Sequence, residues 1–592
     1  MRNRKTISFF AVFIVLAVFF ITAQSSAKIG AVGSVVRTWG SEFRISSVQD
    51  FKAADNNGLD GGKLQIIDTV GDGALVLKAG ALTATYESVL INLPAYNRLV
   101  MSWNADTPEG SWVEVFCRSG VQNTDGSINW LTDYLTYGRW SPFSLDFTQK
   151  IRSSVSSSGF NRMNVDTIEI NPTANVVQLR ATLQRNSADI PSPVLRQLHG
   201  TLRNTLGNQT IKKEYPEFEF PKSHTGIFNT EADIDAFLKK RTIEEDRMIS
   251  LASHPAYQEF SKAPGFGVFI NGMPQYSQSV RGPVDSGAIC SSTSMAMILE
   301  GLSAREGKPF NRLVEEYAIH QFDYSYNGYG NWAYTVALAG TYGFNAYVEY
   351  SDRLSAETIK RHLLSGHALA ASVTYSSNPN DLHFITRPAG ITGTTEGHLI
   401  TIMGIVWRDD QEYVISLDAW SNPEPNTTEN RIKNWNELVY REIPMAEFLC
   451  ILRHPRTSSA LYVVKPGIEK GAGNFLPVRR QANLIETAPG TFEITYNNEK
   501  VPLNASARPR PNAYIAFSTE EKLVFSGRNP TLFGYLPVSN TIKFGTNVSY
   551  TGTEVIFNEA VLKHPNFRMF VIMGNGITYT LDRTSVPASI GR

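Results

Sequence analysis

The sequence predicts a multidomain chain: an N-terminal all-β sandwich of jelly-roll type, a central α+β domain, and a small β-rich C-terminal domain. Three observations predict it. Short apolar or alternating runs, punctuated by Gly, Asn and Pro, fill residues 28–200. A helical pattern starts at Cys290 and is followed by strand-like runs between Ala368 and Leu417. Short strands then return beyond about Lys465.

Residues 1–27 read as an export signal. Arg2, Arg4 and Lys5 form a positive start, Phe9 to Ile21 an apolar stretch, and Ser25-Ser26-Ala27 a small-residue cleavage site. The apolar stretch is shorter than the roughly 20 residues that span a bilayer comfortably. Cleavage and a secreted or periplasmic mature protein are therefore expected, with no stable membrane span.

In residues 28–200, runs such as Leu75-Val76-Leu77, Leu99–Trp103, Trp112–Phe116 and Val177–Leu183 read as strands, and no helix-period stretch interrupts them. Residues 201–265 read as a polar helical connector. Thr230-Glu231-Ala232-Asp233 resembles a capping box, and the charges from Lys239 to Arg247 read as a solvated face. Residues 266–466 place helices first, at Cys290 and at Ser355 to Gly366. Strands follow at Ala368–Val373, His398–Met403 and Tyr413–Leu417. Residues 467–592 form the β-rich C-terminal region, with strands at Thr491–Tyr496 and Met569–Met573.

Lys plus Arg and Asp plus Glu number 55 each, so no net field steers the chain to nucleic acid or anionic lipid. Three cysteines exclude a disulfide framework. Cys117 and Cys450 lie in apolar runs that suit packing. Cys290 stands among small polar residues, directly before the helical run Met295–Leu299. A thiol at a helix start meets unpaired N–H groups and the positive end of the helix dipole, and both favour the nucleophilic thiolate.

His398, in a strand with Leu399, Ile400 and Ile402, is the candidate base. Asp418 ends the next strand and would fix the imidazole tautomer. Gln278, or with less reason Gln275, would join the Cys290 N–H in holding an oxyanion. His383 and His367 rank below His398. No short paired Cys or His spacing suggests zinc, and no cofactor is expected.

The segments Pro274–Gln278, Cys290-Ser291-Ser292-Thr293-Ser294, Gly328–Trp332, Gly397-His398-Leu399, Leu417-Asp418 and Val439-Tyr440-Arg441 together resemble the papain-like, C39-like peptidase family, relatives of bacteriocin-processing peptidases. Met101–Gly110 and Gln178-Leu179-Arg180 resemble the β-sandwich that precedes this domain. The resemblance implies that Cys290, His398 and Asp418 form the triad of an exported cysteine peptidase or related amide hydrolase. It departs from the family pattern at Ser292, where proline is usual, at Ile289, and around Asp418, which lacks a preceding Asn and a following Pro.

The expected partner is a peptide or protein substrate, cell-wall peptide included, with glycan contact through the N-terminal domain. The rival reading is a glycan- or surface-binding protein with an inactive papain-like domain, in which Trp130, Tyr134, Tyr137 and Trp140 would stack on sugars. A transamidase would share the acyl-enzyme.

Overall fold

The structure, a computed structural model, describes residues 37–39, 41–144, 149–206, 266–270, 272–278, 288–351, 354–375, 395–408, 411–420, 439–452, 459–501 and 562–590, with short strands between 513 and 557. The export signal, the Thr230 capping box, the charges at 239–247 and His383 lie outside these residues. Among the described residues no helix is long and apolar enough to cross a membrane.

From Arg37 to Arg203, thirteen strands hydrogen-bond into one continuous antiparallel sheet. Its longer members are β1 (Ile91–Asp106), β2 (Ser111–Gln122), β4 (Thr167–Arg185) and β5 (Val194–Arg203), with the short β3 (Arg162–Asn164) before β4. Strand β4 pairs with β1 along its first half and with β2 along its second. Burial alternates as the pleat requires: Val113, Val115 and Cys117 of β2 are buried, while the residues between them are partly exposed.

The expectation of an uninterrupted β-region needs one correction, because a helix occupies Val48–Lys52. Its reciprocal Ser47–Asp50 cap holds one and a half turns that are too short to show a helical period. Tyr137 and Trp140 also depart from the stacking role, since both are buried in the core. Trp130 and Tyr134 stay partly exposed, with the Arg118 guanidinium 3.9 and 4.7 Å from their ring centroids.

The central α+β region has helices α1 (Cys290–Arg305), α2 (Val314–Gln321), α3 (Trp332–Thr341), α4 (Ala356–Leu364) and α5 (Met445–Leu452). Its strands are β6 (Phe266–Phe269), β7 (Phe344–Tyr350), β8 (Ala368–Tyr375), β9 (Thr395–Arg408), β10 (Gln411–Asp418), β11 (Tyr440–Pro444) and β12 (Ala460–Ile468). The sheet runs β7-β12-β8-β9-β10-β11, all antiparallel, with β6 also on β9. Helix α4 starts where Ser355 caps the Thr358 N–H, and Gly366, at φ +73°, turns the chain into β8.

Strand β7 is the edge of this sheet, and its backbone groups need partners. The N-terminal sheet supplies them. Asn104 of β1 binds Ala346 through both ends of its amide, at 2.8 and 3.0 Å. Ser102 accepts from the Val348 N–H, and Thr201 of β5 donates to the Val348 carbonyl at 3.1 Å. Buried Arg196 pairs with Asp106, with Glu469 at 2.8 Å and with the Gly340 carbonyl at 2.7 Å. Helix α3 lies so close to β1 that a Cβ on Gly340 would sit 2.8 Å from the Asn104 Cα. Trp103, Tyr137 and Trp140 pack around Tyr334 of α3, so the two regions share one hydrophobic core.

The C-terminal region builds its own core around Phe492, Ile494, Met569 and Val571. Among its contacts with the rest are the turn Gly574–Gly576, whose carbonyls accept from Tyr324, Arg152 and His320, and the ion pairs of Arg479 with Glu316 and Arg480 with Glu109.

Candidate active site

Cys290 is the first residue of α1. Ile289 before it offers no side-chain acceptor, so the first-turn N–H groups remain for other partners. The Ser291 N–H of that first turn and the Leu399 N–H of β9 both favour the Cys290 thiolate. Helix and sheet are pinned together close by. Ser294 Oγ donates to the Leu399 carbonyl at 3.0 Å, and Thr401 Oγ1 returns a bond to the Ser294 carbonyl at 3.2 Å. These two bonds fix the Cys290 end of the helix against the His398 end of β9.

His398 is buried, with Nε2 2.7 Å from Asp418 Oδ1. That leaves Nδ1 on the side away from Asp418, and Cys290 also acts on the imidazole to favour its charged form. The register explains the meeting. Asp418 lies opposite Ile400, two residues beyond His398 and on the same face of β9, so it reaches the imidazole diagonally. Tyr375 stands edge-on to the imidazole, ring centroids 6.0 Å apart.

Burial would raise the thiol pKa of Cys290, but the hydrogen bond and charge of His398 outweigh it, so the pKa is lowered. Burial would likewise neutralise His398, yet the Asp418 carboxylate and the sulfur push its pKa up to about 10. Asp418 is held below its usual value against its own burial by His398 and by Arg441. The charged pair, thiolate and imidazolium, is thus the favoured state.

Arg441 was not singled out from sequence beyond its place in Val439-Tyr440-Arg441. Its Nε donates to Asp418 Oδ2 at 3.2 Å, and the Trp420 N–H takes Oδ1 at 2.9 Å. The residue lies on β11 opposite Ser416, two positions before Asp418, so only strand register brings it there.

Gln278 is completely buried, and its N–H donates to the Ala419 carbonyl at 2.9 Å, one residue past Asp418. Neither end of its side-chain amide has a hydrogen-bond partner among the described residues. Buried amides are normally satisfied, which makes this one unusual, and Gln278 is not among the residues that line the cleft at Cys290. Gln275 is only half-buried. His367 instead pairs with His362, the two Nδ1 atoms 3.0 Å apart.

Cys290 opens into a cleft of about 880 Å³. Ser372, Gly397 and Leu399 line it from the sheet, and Tyr326, Tyr329 and Trp332 from the loop before α3 and its first residue. Asn331 caps α3 by accepting from the Tyr334 N–H and is itself held by Asp323 at 2.8 Å, which gives Gly328–Trp332 a structural role beside the cleft.

This constellation defines a class, the papain-like cysteine peptidases, in which a thiol on a helix faces an imidazole on a sheet. Comparison with known proteins gives the family. Residues 270–443 match the Peptidase_C39 like family and residues 42–202 the Peptidase C39 N-terminal domain; the chain belongs to the C39-like peptidases and carries their N-terminal domain. None of the curated proteins compared matches it.

Two solved structures show a partial likeness. One is titled Structure of infectious bursal disease virus Gt strain (13% identity, 29% of this chain and 36% of that one, TM-score 0.13). The other is that of the Gx strain (11% identity, 31% and 39%, TM-score 0.13). This chain thus spans well under half of either, and at such TM-scores the likeness carries no argument.

Proposed function

We propose that the protein is an exported cysteine peptidase or related amide hydrolase, acting through Cys290, His398 and Asp418. The observation that carries this reading is His398, which binds Asp418 at 2.7 Å through Nε2 and stands close enough to Cys290 at the helix start to lower its thiol pKa. The Cys290 thiolate adds to an amide carbonyl. The imidazolium of His398 protonates the departing amine as the C–N bond breaks, leaving a thioester on sulfur. Neutral His398 then takes a proton from water, whose oxygen attacks the thioester and releases the acid and the thiolate. Asp418 keeps the imidazole oriented throughout, and Gln278 with a backbone N–H stabilises the oxyanion.

Export rests on the charged, apolar and small-residue pattern of residues 1–27. The test is Cys290→Ala in the mature chain, assayed on a peptide mixture with product mass analysis. Turnover should vanish while the thermal midpoint stays within a few degrees. Hydrolysis at the parent rate in this variant would refute the assignment.

A further inference from the structure

The N-terminal β-domain lines the same cleft as Cys290. The turn between β3 and β4 supplies Asn164, Val165, Asp166 and Thr167 to its wall, with Arg98 and Glu169 beside them. This turn has an unusual backbone. Val165 sits at φ +60°, a region a β-branched residue rarely occupies, and the Asp166 N–H closes a tight turn onto the Asn164 carbonyl at 2.8 Å. Such outliers persist only where the surroundings enforce them.

The surroundings here do so. The Val165 N–H binds Ser156 Oγ at 3.2 Å, and Glu169 takes Arg162 at 2.8 Å and Asn164 at 3.3 Å. Asp166 Oδ2 accepts from the Trp332 N–H at 2.8 Å, so the turn is tied directly to the head of α3. A surface hairpin has no need of this restraint. A rigid wall that must hold its shape against a ligand does, because a preorganised surface loses less freedom on binding.

We infer that the Asn164–Thr167 turn is a wall of the substrate site, against which an extended peptide of a few residues is held, and that Val165 limits the size of one substrate side chain. The cleft volume, about 880 Å³, suits such a segment rather than a single small amide. The inference rests on the proposed function, with the β-domain then selecting substrate instead of merely flanking the catalytic domain.

The test uses the full mature chain and peptidyl acyloxymethyl ketones that differ by Ala, Leu or Trp at single positions. With these probes the Cys290 thiolate displaces the carboxylate and forms a thioether. Val165→Gly removes the side chain and accepts positive φ. It should raise the Trp-to-Ala ratio of labelling rates at one probe position by about tenfold, because an obstructing side chain is gone. Val165→Asn, which also tolerates this backbone, should instead lower the Leu-to-Ala ratio.

Iodoacetamide labelling of Cys290 should be the same in all three proteins, since it reports the thiolate and not the wall. Unchanged selectivity in both variants would overturn the inference. So would rapid iodoacetamide labelling of the parent protein with no labelling by any peptidyl probe. Slow labelling of the parent by both reagents would instead bring down the catalytic assignment beneath it.

Discussion

Two cysteines in this molecule, Cys117 buried and Cys290 partly buried, show opposite chemistry. Cys117 faces the core of the N-terminal sheet, and burial pushes its thiol far up. Cys290 suffers the same penalty but ends up lowered, because an imidazole and two backbone N–H groups face it. The histidines repeat the contrast. Burial and nearby Arg312 push His320 down to about 3, with the Gly576 carbonyl opposing only weakly, whereas Asp418 lifts His398 to about 10. Burial alone therefore silences a titratable group, and a partner of opposite charge inside the same low-dielectric site makes it reactive.

The contrast breaks most visibly if the partner is removed. His398→Ala should return the Cys290 thiol to its ordinary value of 9.0 or above, leaving about 1% thiolate at pH 7. Iodoacetamide labelling should slow as the thiolate fraction falls, while Cys117 stays unlabelled in the folded protein. Equal labelling of both cysteines in the parent would remove the contrast itself.

Asp418→Asn keeps shape but removes the charge that raises His398. Peptide hydrolysis should fall by about 10²–10⁴-fold. The pH profile is a second readout. With His398 raised from 6.5 to about 10, the stability its imidazolium gives is complete below 6.5 and lost as pH rises through about 10. For Cys290 the sign is reversed: its thiolate contributes fully above 9.0 and is lost as pH falls through the lowered value. The ion pair is thus bounded near pH 10 on the alkaline side and by the lowered thiol value on the acid side. The alkaline limb of hydrolysis should lie near pH 10 in the parent and move to lower pH in Asp418→Asn.

Gln278→Ala probes the unpartnered amide. Because no partner among the described residues bonds that amide, the thermal midpoint should scarcely change, while kcat falls by about 10²-fold through loss of one oxyanion donor. A large drop in stability with kcat intact would reassign Gln278 to a structural role.

The smallest effect belongs to Ser292, which stands where the family usually has proline. Its hydroxyl is buried without a partner among the described residues. Ser292→Ala should stabilise the protein by about 1 kcal/mol in a denaturant titration, with activity unchanged.

Much of the site was legible because its signals are local. The helix start at Cys290 follows from small polar residues before an apolar run, and the strands of His398 and Asp418 from apolar runs of strand length. The Ser355 cap, the Gly366 turn and the packing role of Cys117 follow in the same way. Arg441 was not legible as a partner of Asp418, since 23 residues separate them and only the pairing of β10 with β11 unites them. The helix at Val48–Lys52 was missed because it is too short to carry a period, and whether Tyr137 and Trp140 face sugar or core depends on what packs above the sheet.

The sequence by itself determined the order of the regions, the candidate site residues and the elements that carry them, because caps, turns and hydrophobic periods act over a few residues. Only the tertiary structure decided that the N-terminal sheet closes the open edge of the catalytic sheet and lends Val165 and Asp166 to the cleft. Those contacts join residues more than 100 positions apart, and they form because an edge strand leaves backbone groups that must find partners somewhere in the folded chain.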